Sequence, residues 1–346
     1  FPGRLCILVE IMGLPLPEQE NEILNKRRHG MGYLGLGASS TMLGMKYGDD
    51  ASQLFTEEVT RQLALVGWQQ GLALAQEKGP APIMEEEFVL TGEHFSQRPE
   101  LAVDGYKLGD KVKGKILHAK YSRYMQQLSE EAPELVKDLE KTGSRFTHHS
   151  SIAPTGTISL SVANNASNGI EPSFAHHYAR NIIKPGRKTK EKVDVFSYEL
   201  LAYRALKNLE GETINLSSLP DYFITSDAVT PKQHVDIQAA AQKWIDSSIS
   251  KTANVPSDYP FEKFKDIYQY AYEKSLKGCT TFRFNPEVFQ GVLVQEKDLE
   301  KTLYKFTLSD DQVVELKGNE LVEYDGETHS AANLYDALKE GYYGKL

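Results

Sequence analysis

A run of small, hydroxyl-bearing and turn-forming residues near the middle of the chain has the composition of an anion site. The run is Ala153, Pro154, Thr155, Gly156, Thr157, Ile158 and Ser159. Pro154 stiffens the entry, and Gly156 permits a positive φ that lets successive backbone N–H groups converge. The hydroxyls alternate along the run as further donors. Because oriented amides supply the positive potential, such a site needs no lysine to bind a phosphate.

The same residues are also compatible with a simple turn, and the segment after them has two interpretations. Ile158, Leu160 and Val162 alternate as in a strand. An anion site instead requires a helix that begins directly after Gly156. Upstream, residues 146–152 are predicted to form a buried strand.

Two other patterns suggest chemistry but are interpreted as structural. Residues 30–35 match G-x-G-x-x-G, yet a polar, basic segment precedes them where a dinucleotide-binding fold requires a buried strand. We therefore expect tight packing of a small-residue helix. The histidine pairs at 148–149 and 176–177 would each point to opposite faces of a strand. This favours structural contacts, and no metal ligand is assigned in the chain.

The elements around these residues alternate between helix and strand, which indicates an α/β architecture. Helices are predicted at 51–78, at 116–141 with an interruption near Pro133, and from Pro231 and Pro260, and a strand is predicted at 279–284. After Pro286, strands at 303–308, 312–316 and 320–324 and a helix at 335–340 predict a small antiparallel β module. The predicted domains are therefore 1–287 and 288–346.

Composition limits the class of protein. The 346 residues are 40% hydrophobic and 25% charged, as in a globular protein, and the net charge is −9. The acidic balance argues against broad nucleic-acid binding, and no apolar run predicts a membrane partner. Cys6 and Cys279 have no zinc-ligand spacing, so we expect free thiols in a cytoplasmic protein. Because the first residue is Phe and not Met, we expect a fragment or a processed piece.

Four separated segments resemble the catalytic subunit of ribonucleotide reductases, and specifically the adenosylcobalamin-dependent (class II) enzymes. They are residues 26–32 with 43–48, residues 150–159, residues 165–172, and residues 242–252 with 277–283. The runs Ala-Pro-Thr-Gly-Thr and Asn-Gly-Ile-Glu-Pro are the most specific. Residues 325–329 and 341–346 are similar to the end of split or proteobacterial members.

The resemblance implies a fold, a reaction and a site. The fold would be the second half of a ten-stranded α/β barrel, followed by the small β module. Residues 153–159 would hold the substrate diphosphate at a helix start, and the bordering active-site loop would comprise Asn168, Gly169, Ile170, Glu171 and Pro172. The reaction would convert ribonucleotides to 2′-deoxyribonucleotides through a cobalamin-initiated thiyl radical. A thioredoxin-like reductant and an oligomeric assembly are further expected partners.

The chain departs from the family at the residues that perform the chemistry. Neither Cys6 nor Cys279 lies in an Asn-x-Cys-x-Glu loop, and the reducing cysteine pair is missing. We therefore assign no catalytic residue to this chain. The cysteines and most of the adenosylcobalamin site are expected on an N-terminal half-barrel, either an upstream segment or a partner chain. By itself, this chain is expected to be inactive.

Other functions stay open at this point. The diiron-dependent (class I) relatives carry a tandem tyrosine pair near the strand at 279–283, where this chain has Thr-Thr-Phe-Arg. This favours a radical generated by a cofactor over a class I large-subunit fragment. A second alternative is a non-catalytic nucleotide-binding or assembly module of the same fold. A nicotinamide dehydrogenase built on residues 30–35 is the third.

Overall fold

The computed structural model describes residues 13–163, 166–183, 190–209, 215–256, 259–283, 293–294, 303–307, 313–324 and 327–339. The predictions for Cys6 and for the motif at 341–346 lie outside these residues.

Helices dominate the first two thirds of the chain, and hairpins dominate its end. The helices are α1 (Pro17–Lys26), α2 (Leu36–Met42), α3 (Asp50–Lys78), α4 (Pro82–Glu85), α5 (Gly92–Gln97), α6 (Glu100–Val103), α7 (Gly114–Tyr121), α8 (Arg123–Glu131), α9 (Pro133–Thr142), α10 (Gly156–Ser161), α11 (Tyr198–Leu206), α12 (Pro231–Gln242), α13 (Phe261–Glu273) and α14 (Ala331–Lys339). The strands are β1 (Glu87–Val89), β2 (Lys111–Lys113), β3 (His177–Ile183), β4 (Lys190–Phe196), β5 (Thr252–Val255), β6 (Thr280–Arg283), β7 (Leu293–Val294), β8 (Leu303–Thr307), β9 (Val313–Lys317), β10 (Leu321–Tyr324) and β11 (Glu327–Ser330). In the described ranges, no helix is long and apolar enough to cross a membrane.

Four extended segments lie side by side in parallel, and we call them the parallel wall. Met31 bridges to Ser150, and Ile152 bridges to Ile249. After Ile249, β5 pairs with β6 in parallel. Helices α3, α12 and α13 lie in sequence between successive wall segments. This strand–helix–strand order confirms the α/β prediction. Within the described ranges the wall does not close into a barrel, and the complete ten-stranded barrel stays a prediction.

The long helix α3 packs against the wall through small residues. It begins where the Asp49 side chain accepts a hydrogen bond from the Ser52 amide at 2.9 Å. A Cβ on Gly67 would lie 2.2 Å from Cε1 of His149, so only glycine permits this approach. Trp68 is fully buried beside Phe146 and Trp244 in the core below the wall.

The glycines at 30–37 also serve packing, as the structural interpretation of G-x-G-x-x-G predicts. The expected helix is wrong for residues 30–35, because they form an extended wall segment and α2 begins only at Leu36. A Cβ on Gly32 would lie 2.1 Å from the carbonyl oxygen of Ser151 in the neighbouring wall segment. Gly35, at φ 75°, precedes α2. The backbone of Gly37 lies directly against Glu171 and Pro172. A Cβ added to Gly37 would be only 2.6 Å from the Glu171 carbonyl oxygen.

The predicted helix boundaries are largely confirmed, because each has a local cause. Pro133 separates α8 from α9, and Gly143 ends α9 at φ 83°. Thr230 and Gln233 form a capping box at the start of α12, with Pro231 in its first turn.

The described residues between 303 and 339 form two antiparallel strand pairs and a helix, and we call them the C-terminal unit. β8 pairs with β9, β10 pairs with β11, and α14 follows. The unit has its own buried cluster of Tyr304, Ala331, Ala332, Leu334 and Leu338. The sequence did not predict β11, and α14 begins earlier than residue 335. Strand β7 lies after the predicted domain boundary at 287/288, but it pairs with β3, which lies before that boundary. The boundary itself stays a prediction.

Candidate functional site

The run Ala153–Ser159 follows the second wall segment at its carboxyl end. Thr155 adopts the left-handed conformation, with φ 55° and ψ 19°, and α10 begins at Gly156. The first amides of a helix have no intrahelical acceptor, and parallel α/β sheets bind ligands beyond the carboxyl ends of their strands. The helix interpretation is therefore confirmed. The strand interpretation of residues 158–162 is wrong, because its alternating apolar residues Ile158, Leu160 and Val162 are exposed on and after α10.

The positive φ in this loop belongs to Thr155, so the prediction that placed it on Gly156 is wrong. The Thr155 hydroxyl makes two hydrogen bonds here, which stabilise a conformation that β-branched residues rarely adopt. A Cβ on Gly156 would meet nothing within 4 Å. The space in front of Gly156 is therefore open to a ligand.

The loop hydroxyls do not all face outward, as an alternating pattern would suggest. Thr155 Oγ1 lies 3.0 Å from Ser159 Oγ, and Ser159 is fully buried. Pro154 and Thr157 are exposed. Because these residues lie around a helix start and not along a strand, Ser159 stabilises the loop from inside. Thr157 is the hydroxyl that a ligand reaches most directly.

The structure brings the second predicted loop, Asn168–Pro172, into contact with the first. The Gly169 amide donates a hydrogen bond to Thr155 Oγ1 at 2.7 Å. Gly169 has φ 54°, and its Cβ would lie 2.7 Å from the Ala153 carbonyl oxygen, so this close approach requires glycine. The two loops predicted as site residues therefore form one connected surface.

Hydrogen bonds from Leu36 and Tyr47 hold the backbone of the loop Asn168–Pro172 in place. The Gly169 carbonyl accepts from the Leu36 amide at 3.2 Å, and the Tyr47 hydroxyl donates to the Ile170 carbonyl at 2.7 Å. Burial raises the pKa of Tyr47 well above its usual value, so the phenol stays a donor. Ile170 is fully buried, and Asn168 is half-buried. The loop is therefore anchored by its backbone, while Asn168 stays accessible.

Glu171 connects the loop to the third wall segment. Its Oε2 accepts from the Lys251 ammonium at 2.5 Å, and its Oε1 accepts from the Thr252 amide at 2.6 Å. Lys251 also contacts Nδ1 of His234 at 2.7 Å. Burial lowers the pKa of Lys251, whereas the Glu171 carboxylate opposes that shift. Burial and the Lys251 charge lower the pKa of His234 to about 2, so His234 is neutral.

Comparison with known proteins assigns the family. Residues 4–282 match the family model described as the ribonucleotide reductase barrel domain. The chain belongs to the ribonucleotide reductase family. It is 33% identical over 164 residues to a vitamin B12-dependent ribonucleoside-diphosphate reductase of Thermoplasma acidophilum, which covers 44% of this chain and 21% of that protein.

Two further relatives match this chain over more of its length. A vitamin B12-dependent ribonucleotide reductase of Streptomyces coelicolor is 23% identical, over 80% of this chain and 29% of the relative. A vitamin B12-dependent ribonucleoside-diphosphate reductase of Mycobacterium tuberculosis is 24% identical, over 80% of this chain and 34% of the relative. The chain therefore spans about a fifth to a third of the length of these relatives.

The histidine pairs point to opposite faces, as the sequence predicts. His149 is fully buried against Trp68, with ring centroids 5.0 Å apart, whereas His148 contacts the Thr147 hydroxyl. His176 contacts Glu199 at 3.1 Å in the interior, and His177 stacks on Phe196. Within the described ranges, no group of three His, Cys, Asp or Glu side chains could hold a metal ion.

Asp246 holds the second and third wall segments together at the end away from the loops. Its carboxylate accepts from the amides of His149 and Ser150, at 2.9 and 3.1 Å. The Ser150 hydroxyl accepts in turn from the Asp246 amide at 3.0 Å. These bonds fix the segment that leads into Ala153–Ser159.

Sequence reasoning missed the roles of Lys251 and His234. The available signal was a lysine between two residues that are buried in the structure, Ile249 and Ala253. A lysine at such a position must find partners, because isolated buried charges are costly. Nothing in the sequence identified His234 as its partner.

Proposed function

We propose that this chain supplies the substrate-phosphate half of a cobalamin-dependent ribonucleotide reductase. The helix start at Gly156 supports this proposal, because it lies beyond the carboxyl end of a parallel wall segment. The match of the chain to the reductase barrel domain supports it as well. The substrate would be a ribonucleotide, and the product a 2′-deoxyribonucleotide.

In this proposal the diphosphate lies in front of Gly156. The first amides of α10 point toward it, and the exposed Thr157 hydroxyl adds a donor. The absent Cβ of Gly156 leaves room for the phosphate oxygens. The loop Asn168–Pro172 would form the adjacent border of the site, because Gly169 contacts Thr155 directly.

Among the described residues Cys279 is the one cysteine, and it is a free thiol. It does not lie in the Asn-x-Cys-x-Glu loop that the family resemblance assigns to the radical cysteine. Bound adenosylcobalamin would supply the initiating radical. We place that cofactor and the radical cysteines on an N-terminal half-barrel, upstream or on a partner chain, with a thioredoxin-like reductant. This chain binds and orients the substrate.

A class I assignment is the second candidate, and two observations bear on it. A ribonucleoside-diphosphate reductase subunit alpha of Chlamydia pneumoniae, whose name specifies no radical source, is 23% identical over 85% of this chain and 28% of that protein. Strand β6 contains no tyrosine, but the Tyr268 hydroxyl lies 2.8 Å from Thr281 Oγ1. Tyr268 is 43% exposed on α13, which also carries Tyr270 and Tyr272, but no two of these tyrosines are adjacent in sequence. The lack of a tandem tyrosine pair at residues 279–283 therefore still favours a cofactor-generated radical.

The test is activity of the reconstituted reductase, meaning this chain together with the cysteine-bearing half-barrel. We expect ribonucleotide reduction that requires adenosylcobalamin, and none from either half alone. Reduction with a diiron subunit and no cobalamin would contradict the class. Nucleotide binding without turnover under all these conditions would support the non-catalytic module instead.

A further inference from the structure

Lys251 is a buried charge that substrate binding by the two loops does not itself explain. Its side chain is 1% exposed, and its ammonium contacts Glu171 Oε2, the Thr252 carbonyl and His234 Nδ1 at 2.5, 2.6 and 2.7 Å. Three acceptors match the three N–H donors of an ammonium group. The site is therefore built to hold a charged lysine in one position.

His234 completes this arrangement as an acceptor. Its Nε2 lies 3.2 Å from the Ser226 carbonyl, which can only accept, so Nε2 carries the proton. Nδ1 then has a lone pair directed at Lys251. Because His234 is fully buried, it does not compete with Lys251 for Glu171 as a second cation.

The contacts lead from Lys251 to the proposed phosphate loop in a continuous series. Lys251 and the Thr252 amide hold the two oxygens of Glu171. Glu171 and Gly169 lie in the same loop. That loop contains a turn, which is closed by a hydrogen bond of 2.8 Å from the Glu171 amide to the Asn168 carbonyl. The Gly169 amide in turn holds Thr155, the residue before α10.

We propose that Lys251 is a positioning residue, which fixes the loop Asn168–Pro172 and through it the helix start that binds the substrate phosphate. This inference rests on the proposed function. Stability alone explains the pair poorly, because buried ion pairs are commonly no more stabilising than apolar residues of similar volume. A fixed loop geometry explains why Glu171 has a partner for each of its oxygens.

The experiment compares Glu171→Gln, Lys251→Met and the double variant in the reconstituted reductase. Equilibrium binding of a ribonucleoside diphosphate, kcat and the melting temperature are measured for each. We expect each single variant to weaken binding about fivefold to tenfold, with kcat within about twofold. The double variant should be no weaker than Lys251→Met, because both changes break the same link.

A matched control is Lys243→Met, which breaks the exposed Lys243–Glu57 pair at 2.5 Å and should leave binding unchanged. If Lys251→Met does not fold, Glu171→Gln decides alone, since this side chain is partly exposed and the change is isosteric. Wild-type affinity in a folded Glu171→Gln variant, or additive effects in the double variant, would overturn the inference. If the unsubstituted protein binds no ribonucleotide, the proposed function itself fails.

Discussion

At the scale of single residues, the Thr155 hydroxyl joins the two loops of the candidate site. It accepts from the Gly169 amide and contacts Ser159 Oγ. Both contacts depend on one oxygen atom, so this residue offers a test of whether the loops act as one surface.

Replacing Thr155 with Val removes that oxygen at nearly constant volume. We expect the free energy of unfolding to fall by about 1 kcal/mol, because the Gly169 amide loses its acceptor. Binding of a ribonucleoside diphosphate by the reconstituted reductase should weaken about fivefold. Thr155→Ser keeps the hydroxyl and should stay close to wild type. Equal affinity of the Val variant and the wild type would show that ribonucleotide binding does not depend on the contact between the two loops.

The buried neutral histidines make folding sensitive to acid. Burial lowers the pKa of His149 to about 4, and His234 lies at about 2, both below the ordinary value of 6.5. Below pH 6.5 the unfolded chain binds protons that the folded chain excludes, so stability is present above pH 6.5 and is lost as pH falls.

We expect each of these histidines to reduce the free energy of unfolding by up to about 1.4 kcal/mol per pH unit between pH 6 and pH 5. The contribution of His149 should level off near its folded pKa of about 4. Urea unfolding at pH 7.5, 6 and 5 measures this slope. His149→Asn, which does not titrate, should give a smaller slope whatever its effect at pH 7.5. If the dependence of the unfolding free energy on pH is the same in this variant as in the wild type, His149 is protonated equally in the folded and unfolded states, which would contradict the prediction.

Residue types predicted where the site lies but not how its backbone turns. The hydroxyls and glycine of Ala153–Ser159 identified the loop. The positive φ fell on Thr155, whose hydroxyl contacts nearby Ser159 and accepts from the amide of Gly169 in the second loop. The Gly169 contact depends on how the two loops pack, so no local pattern predicts it.

At the scale of elements, glycines allow the first two wall segments to lie against each other. A Cβ on Gly32 would lie 2.1 Å from the backbone oxygen of Ser151, which has no room to move. The segment that leads into the site depends on this contact.

Gly32→Ala should therefore lower the free energy of unfolding by about 2 kcal/mol or more. Gly92→Ala is the matched control, because its Cβ would meet nothing within 4 Å. Thermal or urea unfolding measures both. We also expect no dinucleotide binding by the wild type, and a Gly32→Ala variant as stable as Gly92→Ala would contradict the packing role.

Element boundaries were largely predictable, whereas strand pairing was not. Helix starts at Asp49 and Thr230 and the break at Pro133 follow from caps and proline, which act within a few residues. The pairing of Met31 with Ser150 joins residues far apart in sequence. The family resemblance implied a half-barrel, but no expectation paired these two residues.

At the scale of the whole molecule, the C-terminal unit has a core of its own. Tyr304, Leu334 and Leu338 are buried within it. We expect removal of residues 295–346 to leave the melting temperature of the wall within about 3 °C, because little of the wall's core is lost. Differential scanning calorimetry of both forms checks this. A loss of cooperative unfolding after the deletion would show that the unit is part of the barrel fold.

The central claim is that the open space in front of Gly156 receives the substrate phosphate. The measurement is the affinity of the reconstituted reductase for a ribonucleoside diphosphate, with Gly156→Ala and Gly156→Val compared with the wild type. Because a Cβ here meets no protein atom within 4 Å, melting temperatures should stay within about 3 °C of the wild type. Affinity should fall in the order wild type, Ala, Val, by about tenfold or more for Val. Unchanged affinity in a folded Val variant would contradict the claim.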